Sequence, residues 1–185
     1  MLNLVCFTEE LSAAKMLATI LPKIVPDITH QIIDFQGKTD LENNIKQKLQ
    51  HYNTPNTKFL IIRDKDSGDC KEIKENLLTK IRASGKEELS LIRIACHELE
   101  SFYLGDLQAV KKGLNLNSVP SQTGKKYRNP DNLSNAKQEL IQNTGKLYQP
   151  VSGSKLIAPH LKLDGSNKSI SFNFLISGIQ KLCDS

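Results

Sequence analysis

Pairs of acidic residues follow three hydrophobic segments of this chain. The segments are LNLVCFT, KFLIIR and LSLIRIAC, and the acids that follow them are Glu9 and Glu10, Asp64 and Asp66, and Glu98 and Glu100. Short apolar runs bounded by polar residues are typical of buried strands. In an open parallel sheet, ligands bind outside the carboxyl ends of the strands. Carboxylates that converge there repel one another unless a cation neutralises them, and such hard oxygen ligands suit Mg²⁺ or Mn²⁺.

The elements that would position these acids alternate along the first part of the chain. Hydrophobic periodicity predicts strands over 2–8, 30–36, 57–63 and 89–96, and helices over 12–21, 40–50, 70–83 and 98–112, the last closed by Gly113. This order predicts an α/β fold, with a sheet of about four mainly parallel strands flanked by helices on both faces.

The chain changes character after Gly113. Residues 114–132 have little periodicity and predict a long surface loop. A short helix is expected within 130–147, a compact semi-apolar segment over 151–164 and a terminal helix over 169–182. We therefore expect an α/β core over 1–113 and a basic loop with a helical extension over 114–185, packed together as one domain.

Charge is unevenly distributed between the two parts. Residues 1–100 contain 14 Lys and Arg against 15 Asp and Glu, whereas residues 101–185 contain 11 against 5. This division suits a metal site beside a phosphate-binding surface, and it equally suits a solvated lysine-rich face.

Composition narrows the cellular setting. No apolar stretch approaches the roughly 20 residues that span a bilayer, and no signal peptide is apparent at the N-terminus, so we expect no membrane association. The four cysteines are widely spaced, which argues against a zinc site or a disulfide framework and favours a reducing cytoplasm. Cys6 and Cys96 fall inside predicted strands, where they would serve as small core residues.

Asp64 and Asp66 are the strongest site candidates. Aspartate is a poor strand former, yet both follow a core-type run, and an extended backbone would turn their side chains to one side. The alternative is a polar turn that caps the next helix, a role for which Asp69 alone is sufficient. Glu9 and Glu10 have a similar alternative, because glutamate near a helix N-terminus interacts favourably with the helix dipole.

One of Glu98 and Glu100 is expected to bind the metal ion. Positions i and i+2 of a helix do not share a face, so the other glutamate would turn away or cap the helix. Asp106 is expected to face solvent, and His97 to be a surface residue or one that supports a ligand.

Basic candidates lie in the second part of the chain. Lys155 could neutralise charge at a scissile phosphate, and His160 could orient water or act as an acid. Lys125, Lys126 and Arg128 could bind nucleic-acid phosphate or simply be solvated, and His160 is a further candidate for contact with nucleic acid.

The acidic pattern resembles the Toprim domain, which is shared by topoisomerases, bacterial primases, small maturation ribonucleases and OLD-family nucleases. FTEE, IIRDKDSGDC and ACHELESFYLGD, followed by IAPHL, are most similar to small stand-alone bacterial Toprim-like proteins. Glu9 matches the Toprim glutamate, Asp64 and Asp66 match its DxD, and Glu100 matches the extra acidic ligand of OLD-type nucleases better than Glu98 does. Glu10 occupies a position that is usually glycine in the family.

The resemblance implies a Toprim-like doubly wound sheet and two-metal phosphodiester hydrolysis. Glu9, Asp64, Asp66 and Glu100 would then hold Mg²⁺ or Mn²⁺, while Lys155 or the basic loop holds the phosphate of DNA or, less favoured, RNA. The setting implied is a nuclease effector in anti-phage defence or DNA processing that works with an ATPase partner.

Two other functions fit parts of the pattern. A non-catalytic Toprim-like subunit of an ATPase complex would keep the same acids. A phospho-receiver domain also places acids after its first and third strands, but this chain lacks a clear fifth strand and has a second aspartate.

Overall fold

Four parallel strands form one sheet in the order β2-β1-β3-β4. The computed structural model describes residues 1–184. The strands are β1 (Asn3–Thr8), β2 (Thr29–Asp34), β3 (Thr57–Asp64) and β4 (Ser90–Ala95), each within about two residues of its predicted bounds. In register, Thr8 pairs with Asp34 and with Ile62, so the carboxyl ends of β1, β2 and β3 lie at one edge.

Helices cover both faces of the sheet. The α-helices of the described part of the chain are α1 (Leu11–Ile24), α2 (Lys38–Gln50), α3 (Cys70–Arg82), α4 (Glu100–Leu104), α5 (Leu107–Gly113), α6 (Ala136–Asn143), α7 (Pro150–Ile157) and α8 (Ile170–Asp184). Short 3₁₀ helices occur at Glu87–Leu89, Pro130–Asn132 and Ala158–His160. The predicted α/β class, the parallel sheet and the C-terminal helix are confirmed, and the architecture is consistent with a doubly wound fold.

Strand side chains alternate between two apolar cores. Val5, Phe7 and Ile61 face α2 and α3, whereas Cys6 and Ile62 face the other side. That second core is larger, because α1 is joined there by apolar residues of α4 to α8. The segment after Gly113 thus completes the cover over one face of the sheet. Within the described residues, no helix is long and apolar enough to cross a membrane.

The single helix expected over 98–112 is wrong. It is broken at Gly105 and Asp106 into α4 and α5. A side chain at Gly105 could not fit, since a Cβ would lie 1.9 Å from Oδ1 of Asn167. Asp106 is buried and does not face solvent as expected: its carboxylate accepts hydrogen bonds from the backbone N–H of Ala109, at 3.2 Å, and of Lys162, at 3.0 Å.

Cys96 is not a strand residue. β4 ends at Ala95, and Cys96 is half-buried in the loop that follows, whereas Cys6 is fully buried in β1 as expected.

Candidate active site

The acids after β1 and β3 lie at the point where the direction of chain winding reverses. From β1 the chain runs through α1 to β2 on one side, then through α2 to β3 on the other side of β1. Since α1 and α2 pack on opposite faces, a crevice opens between the carboxyl ends of β1 and β3. Glu9 and Asp64 line a small pocket there together with Leu99.

Glu9 is held directly against the end of β3. Its Oε2 accepts a hydrogen bond from the backbone N–H of Asp64 at 3.1 Å, and its side chain is buried. Burial raises the pKa of Glu9, against the lowering effects of that N–H and of Arg63. Glu10, one residue further on, is exposed before α1. Of the two glutamates after β1, Glu9 is therefore the one enclosed by the site, and Glu10 faces solvent.

Arg63 is a component of the site that sequence reasoning missed. Its Nη1 lies 2.9 Å from Oε1 of Glu42, and its Nε lies 3.9 Å from Oε2 of Glu9, with no hydrogen-bond partner among residues 1–184. An arginine within a buried strand was the available signal, because a charged residue is rarely buried unless it is paired.

Asp64 is the residue on which the acidic charges converge. Its pKa is raised well above the ordinary value, first by removal of the carboxyl from water and then by the negative charges of Glu100 and Glu9, while the Leu99 N–H opposes the rise. Three strand-end acids of the sequence pattern therefore interact electrostatically. A carboxylate in this position is destabilised when charged and favours a neutralising partner.

Glu100 is the most deeply buried of the acids that act on Asp64. It is 4% exposed, and its Oε1 accepts a hydrogen bond from Tyr148 Oη at 2.9 Å. Burial raises the pKa of Glu100, and the Tyr148 hydroxyl partly offsets that rise. Tyr148 carries no signal in the sequence, since it lies 48 residues from Glu100, between two short helices.

Asp66 lies at the outer edge of the site. Its φ of +51° departs from the extended backbone that was expected to align it with Asp64. Its carboxylate pairs with Lys38 Nζ at 2.9 Å, and both side chains are in contact with solvent. Its negative charge nevertheless raises the pKa of both Glu9 and Asp64, so Asp66 remains part of the same electrostatic cluster.

His97 supports the Asp66 loop. The backbone N–H of Asp66 donates to the His97 carbonyl at 2.8 Å, and His97 Nδ1 lies 2.8 Å from the Asp66 carbonyl. These two contacts join the β3–α3 loop to the loop that follows β4.

Glu98 is bonded to the start of α6. Its Oε2 accepts from the backbone N–H of Lys137 at 2.8 Å, in the first turn of α6. Of the two glutamates left open by the sequence, Glu98 is therefore the one engaged at a helix start, and Glu100 is the one beside Asp64. Asp69 caps α3 as predicted, accepting from the N–H groups of Lys71 and Glu72.

The basic candidates are not gathered around the acids. Lys155 is exposed on α7, where it lines a groove with Lys15 of α1. His160 lies beside the far end of α1, because the carbonyl of its neighbour Pro159 accepts from Lys23 Nζ at 2.7 Å in the last turn of that helix. The expected role of His160 close to the acids does not fit this position.

The basic loop is anchored to α6. Lys126 Nζ pairs with Glu139 Oε1 at 2.6 Å, and the buried Tyr127 donates to the other oxygen of Glu139. Lys125 and Arg128 are exposed on either side of this anchor.

The donor set suits a hard cation by its chemistry, though no cage is preformed. Within residues 1–184, no group of three or more His, Cys, Asp and Glu side chains is arranged to hold a metal ion. Mg²⁺ usually binds through one or two carboxylates and completes its shell with water and substrate phosphate. Glu9 and Asp64 can supply those carboxylates, and burial together with the charges of Glu100 and Glu9 raises the pKa of Asp64, so a cation beside it would favour its charged form.

Comparison with known proteins gives a single match. A family model described as a domain of unknown function, DUF4276, covers residues 8–180. Neither a curated protein nor a solved structure matches the chain.

Proposed function

We propose that this chain, which belongs to the DUF4276 family, is a Toprim-like, divalent-cation-dependent phosphodiesterase that cuts nucleic acid, with DNA favoured over RNA. One observation supports this above the others: Asp64 lies at the switch point of a parallel sheet, where the charges of Glu9 and Glu100 are directed at its desolvated carboxyl. Capping of α3 does not account for Asp64, because that helix already has its cap in Asp69.

The four acids would have different places in the proposed site. Glu9 and Asp64 would hold Mg²⁺ or Mn²⁺ in the crevice, with Asp66 at its mouth and Glu100 behind. A cation bound there supplies activation of water and neutralisation of charge on the reacting phosphate.

The other polar residues of the site orient these acids. The Asp64 N–H fixes the Glu9 carboxylate, and Tyr148 Oη fixes that of Glu100. Lys38 stands beside Asp66 with half of its side chain exposed, so its ammonium group is available to a phosphate oxygen of the substrate.

The wider setting is part of the proposal. Lys125, Arg128 and Lys155 are exposed cations that would attract the nucleic-acid backbone. A cytoplasmic location fits the four free cysteines, and an ATPase partner would regulate the cut.

The test uses purified protein with plasmid DNA, single-stranded DNA and RNA, each with Mg²⁺, Mn²⁺ or EDTA. We expect cation-dependent cleavage that is lost in Asp64→Asn and retained in Glu10→Gln, a matched control that removes an exposed neighbouring charge. Cleavage that persists in Asp64→Asn would sink the proposed site.

If the protein alone is inactive, three further results can be distinguished. Cleavage restored by an ATPase partner supports a regulated effector. Cation binding without cleavage, with or without that partner, supports the non-catalytic subunit, and phosphorylation of Asp64 by a small phosphodonor supports a receiver domain.

A further inference from the structure

Two cysteines that lie far apart in sequence meet next to the acidic site. Cys70 is the first residue of α3, and Cys96 follows β4. Their sulfur atoms are 3.6 Å apart, and both thiols are free in the described part of the chain. No role in the proposed hydrolysis requires either of them.

The backbones that carry the two thiols are already joined. The N–H of Lys65 donates to the carbonyl of Ala95 at 2.9 Å, and the N–H of Asp66 donates to that of His97 at 2.8 Å. Beyond the last strand pair, Asp64 and Ala95, backbone hydrogen bonds thus still join the two segments at the residues on either side of Cys96. Because the two loops are fixed relative to each other, the sulfur atoms need to approach by only about 1.5 Å to reach the length of a disulfide bond.

Both thiols are accessible to a small oxidant. Cys70 and Cys96 are half-buried and line the same surface groove, together with Lys71, Lys74 and Phe174. Cys6, by contrast, is fully buried in the sheet.

We propose that Cys70 and Cys96 are a modification site, at which a peroxide oxidises the two thiols to an intramolecular disulfide. One thiolate attacks an oxygen of hydrogen peroxide, the O–O bond breaks, and the departing hydroxide is protonated to water, which leaves a sulfenic acid on that cysteine. The sulfur of the second cysteine then attacks the sulfenic sulfur, the S–O bond breaks, and a second water leaves with the remaining thiol proton. Two thiols are oxidised, and one peroxide is reduced to two waters.

The bond would tie the β3–α3 loop to the loop after β4. These loops contain Asp66 and His97, so oxidation restrains the outer edge of the acidic site. Disulfides are uncommon in a reducing compartment and are typically transient and redox-sensing there. Reduction by a cellular dithiol would restore both thiols.

The experiment is peptide mapping of the full-length protein after brief treatment with hydrogen peroxide. Trypsin releases Cys70 in residues 66–71 and Cys96 in residues 94–111. We expect these two peptides to be linked in the absence of reductant and to separate on reduction. After the peroxide treatment, alkylation of Cys70 and Cys96 should fall to background.

Variants separate this pair from the other two cysteines. Cys70→Ser and Cys96→Ser should each abolish the linked peptide, and the variant that keeps the attacking cysteine should hold it as a sulfenic acid that a carbon nucleophile such as dimedone traps. Cys183→Ser should form the link as the unaltered chain does. A link between Cys6 and Cys183, a link only between two molecules, or undiminished alkylation of Cys70 and Cys96 would each overturn the proposal, whether or not the chain cuts nucleic acid.

Discussion

Replacing Asp64 by asparagine should make the protein more stable while removing its proposed activity. The asparagine would keep the size of the side chain and an oxygen that can accept from the Leu99 N–H. It removes the charge that Glu9 and Glu100 repel and that burial disfavours. When a residue serves function at the expense of stability, its replacement is expected to raise stability and to lower activity.

The size of the gain follows from the raised pKa. Each unit by which folding raises the pKa of an acid destabilises its charged form by about 1.4 kcal/mol. With burial and two carboxylates acting together, we expect Asp64→Asn to add on the order of 1–3 kcal/mol at pH 7. For a chain of this length that corresponds to a rise in Tm of roughly 2–10 °C.

The raised pKa of Asp64 also determines how the stability of the protein changes with pH. Because folding raises the pKa of Asp64, the folded protein binds more protons than the unfolded chain between the unfolded and folded pKa values. Stability of the unaltered protein therefore falls as pH rises through that window. The advantage of Asp64→Asn should be absent near pH 4 and should grow as pH rises toward the folded pKa of Asp64.

Thermal unfolding in EDTA across this pH range measures the effect, and Asp66→Asn is the matched control. Asp66 forms a solvent-accessible pair with Lys38, so its replacement should change stability by less than about 1 kcal/mol. Saturating Mg²⁺ or Mn²⁺ should then stabilise the unaltered protein, by about 2.7 kcal/mol at one hundred times Kd, and should leave Asp64→Asn nearly unchanged. An Asp64→Asn protein that is less stable at neutral pH, or that shows the same difference at pH 4, would refute the reasoning.

Two further substitutions test contacts made by the segment after Gly113. Tyr148→Phe removes a hydrogen bond to the buried carboxylate of Glu100 and should cost about 1.5–3 kcal/mol in urea unfolding, with slower cleavage if the protein is active; an unchanged midpoint would contradict the assigned contact. Asp106→Ala leaves the N–H groups of Ala109 and Lys162 without their acceptor and should cost about 2–4 kcal/mol in the same assay, whereas an exposed aspartate would cost almost nothing.

Local signals predicted the sheet well. Each strand contains a short run of apolar residues, and the predicted bounds were accurate to about two residues. The break between α4 and α5 could not be predicted in this way. It depends on the approach of Asn167 to Gly105 and on the bond from Lys162 to Asp106, both of which join residues more than fifty positions apart.

The candidate site, like the fold, was predictable from sequence only in part. The three pairs of acids were selected because strand ends in a parallel sheet meet at one edge, and the Toprim resemblance favoured Glu9 and Glu100 within their pairs. The structure brings Glu9, Asp64 and Glu100 within electrostatic range. The residues alone left Glu98 and Glu100 open, because the contrast between them depends on where α6 starts. Tyr148 had no signal in its own neighbourhood, since its role arises from tertiary packing.

The contact between Tyr148 and Glu100 limits how far the chain can be shortened, and how the acidic cluster can be moved to another protein. A chain shortened after Gly113 would retain every acid of the crevice, yet Glu100 would lose its hydroxyl partner and α1 would lose the apolar cover supplied by α6 to α8. Designers who wish to graft the acids onto another α/β scaffold must therefore bring along a buried tyrosine and the segment that presents it. The smallest unit that preserves the centre is the α/β core together with its helical cover.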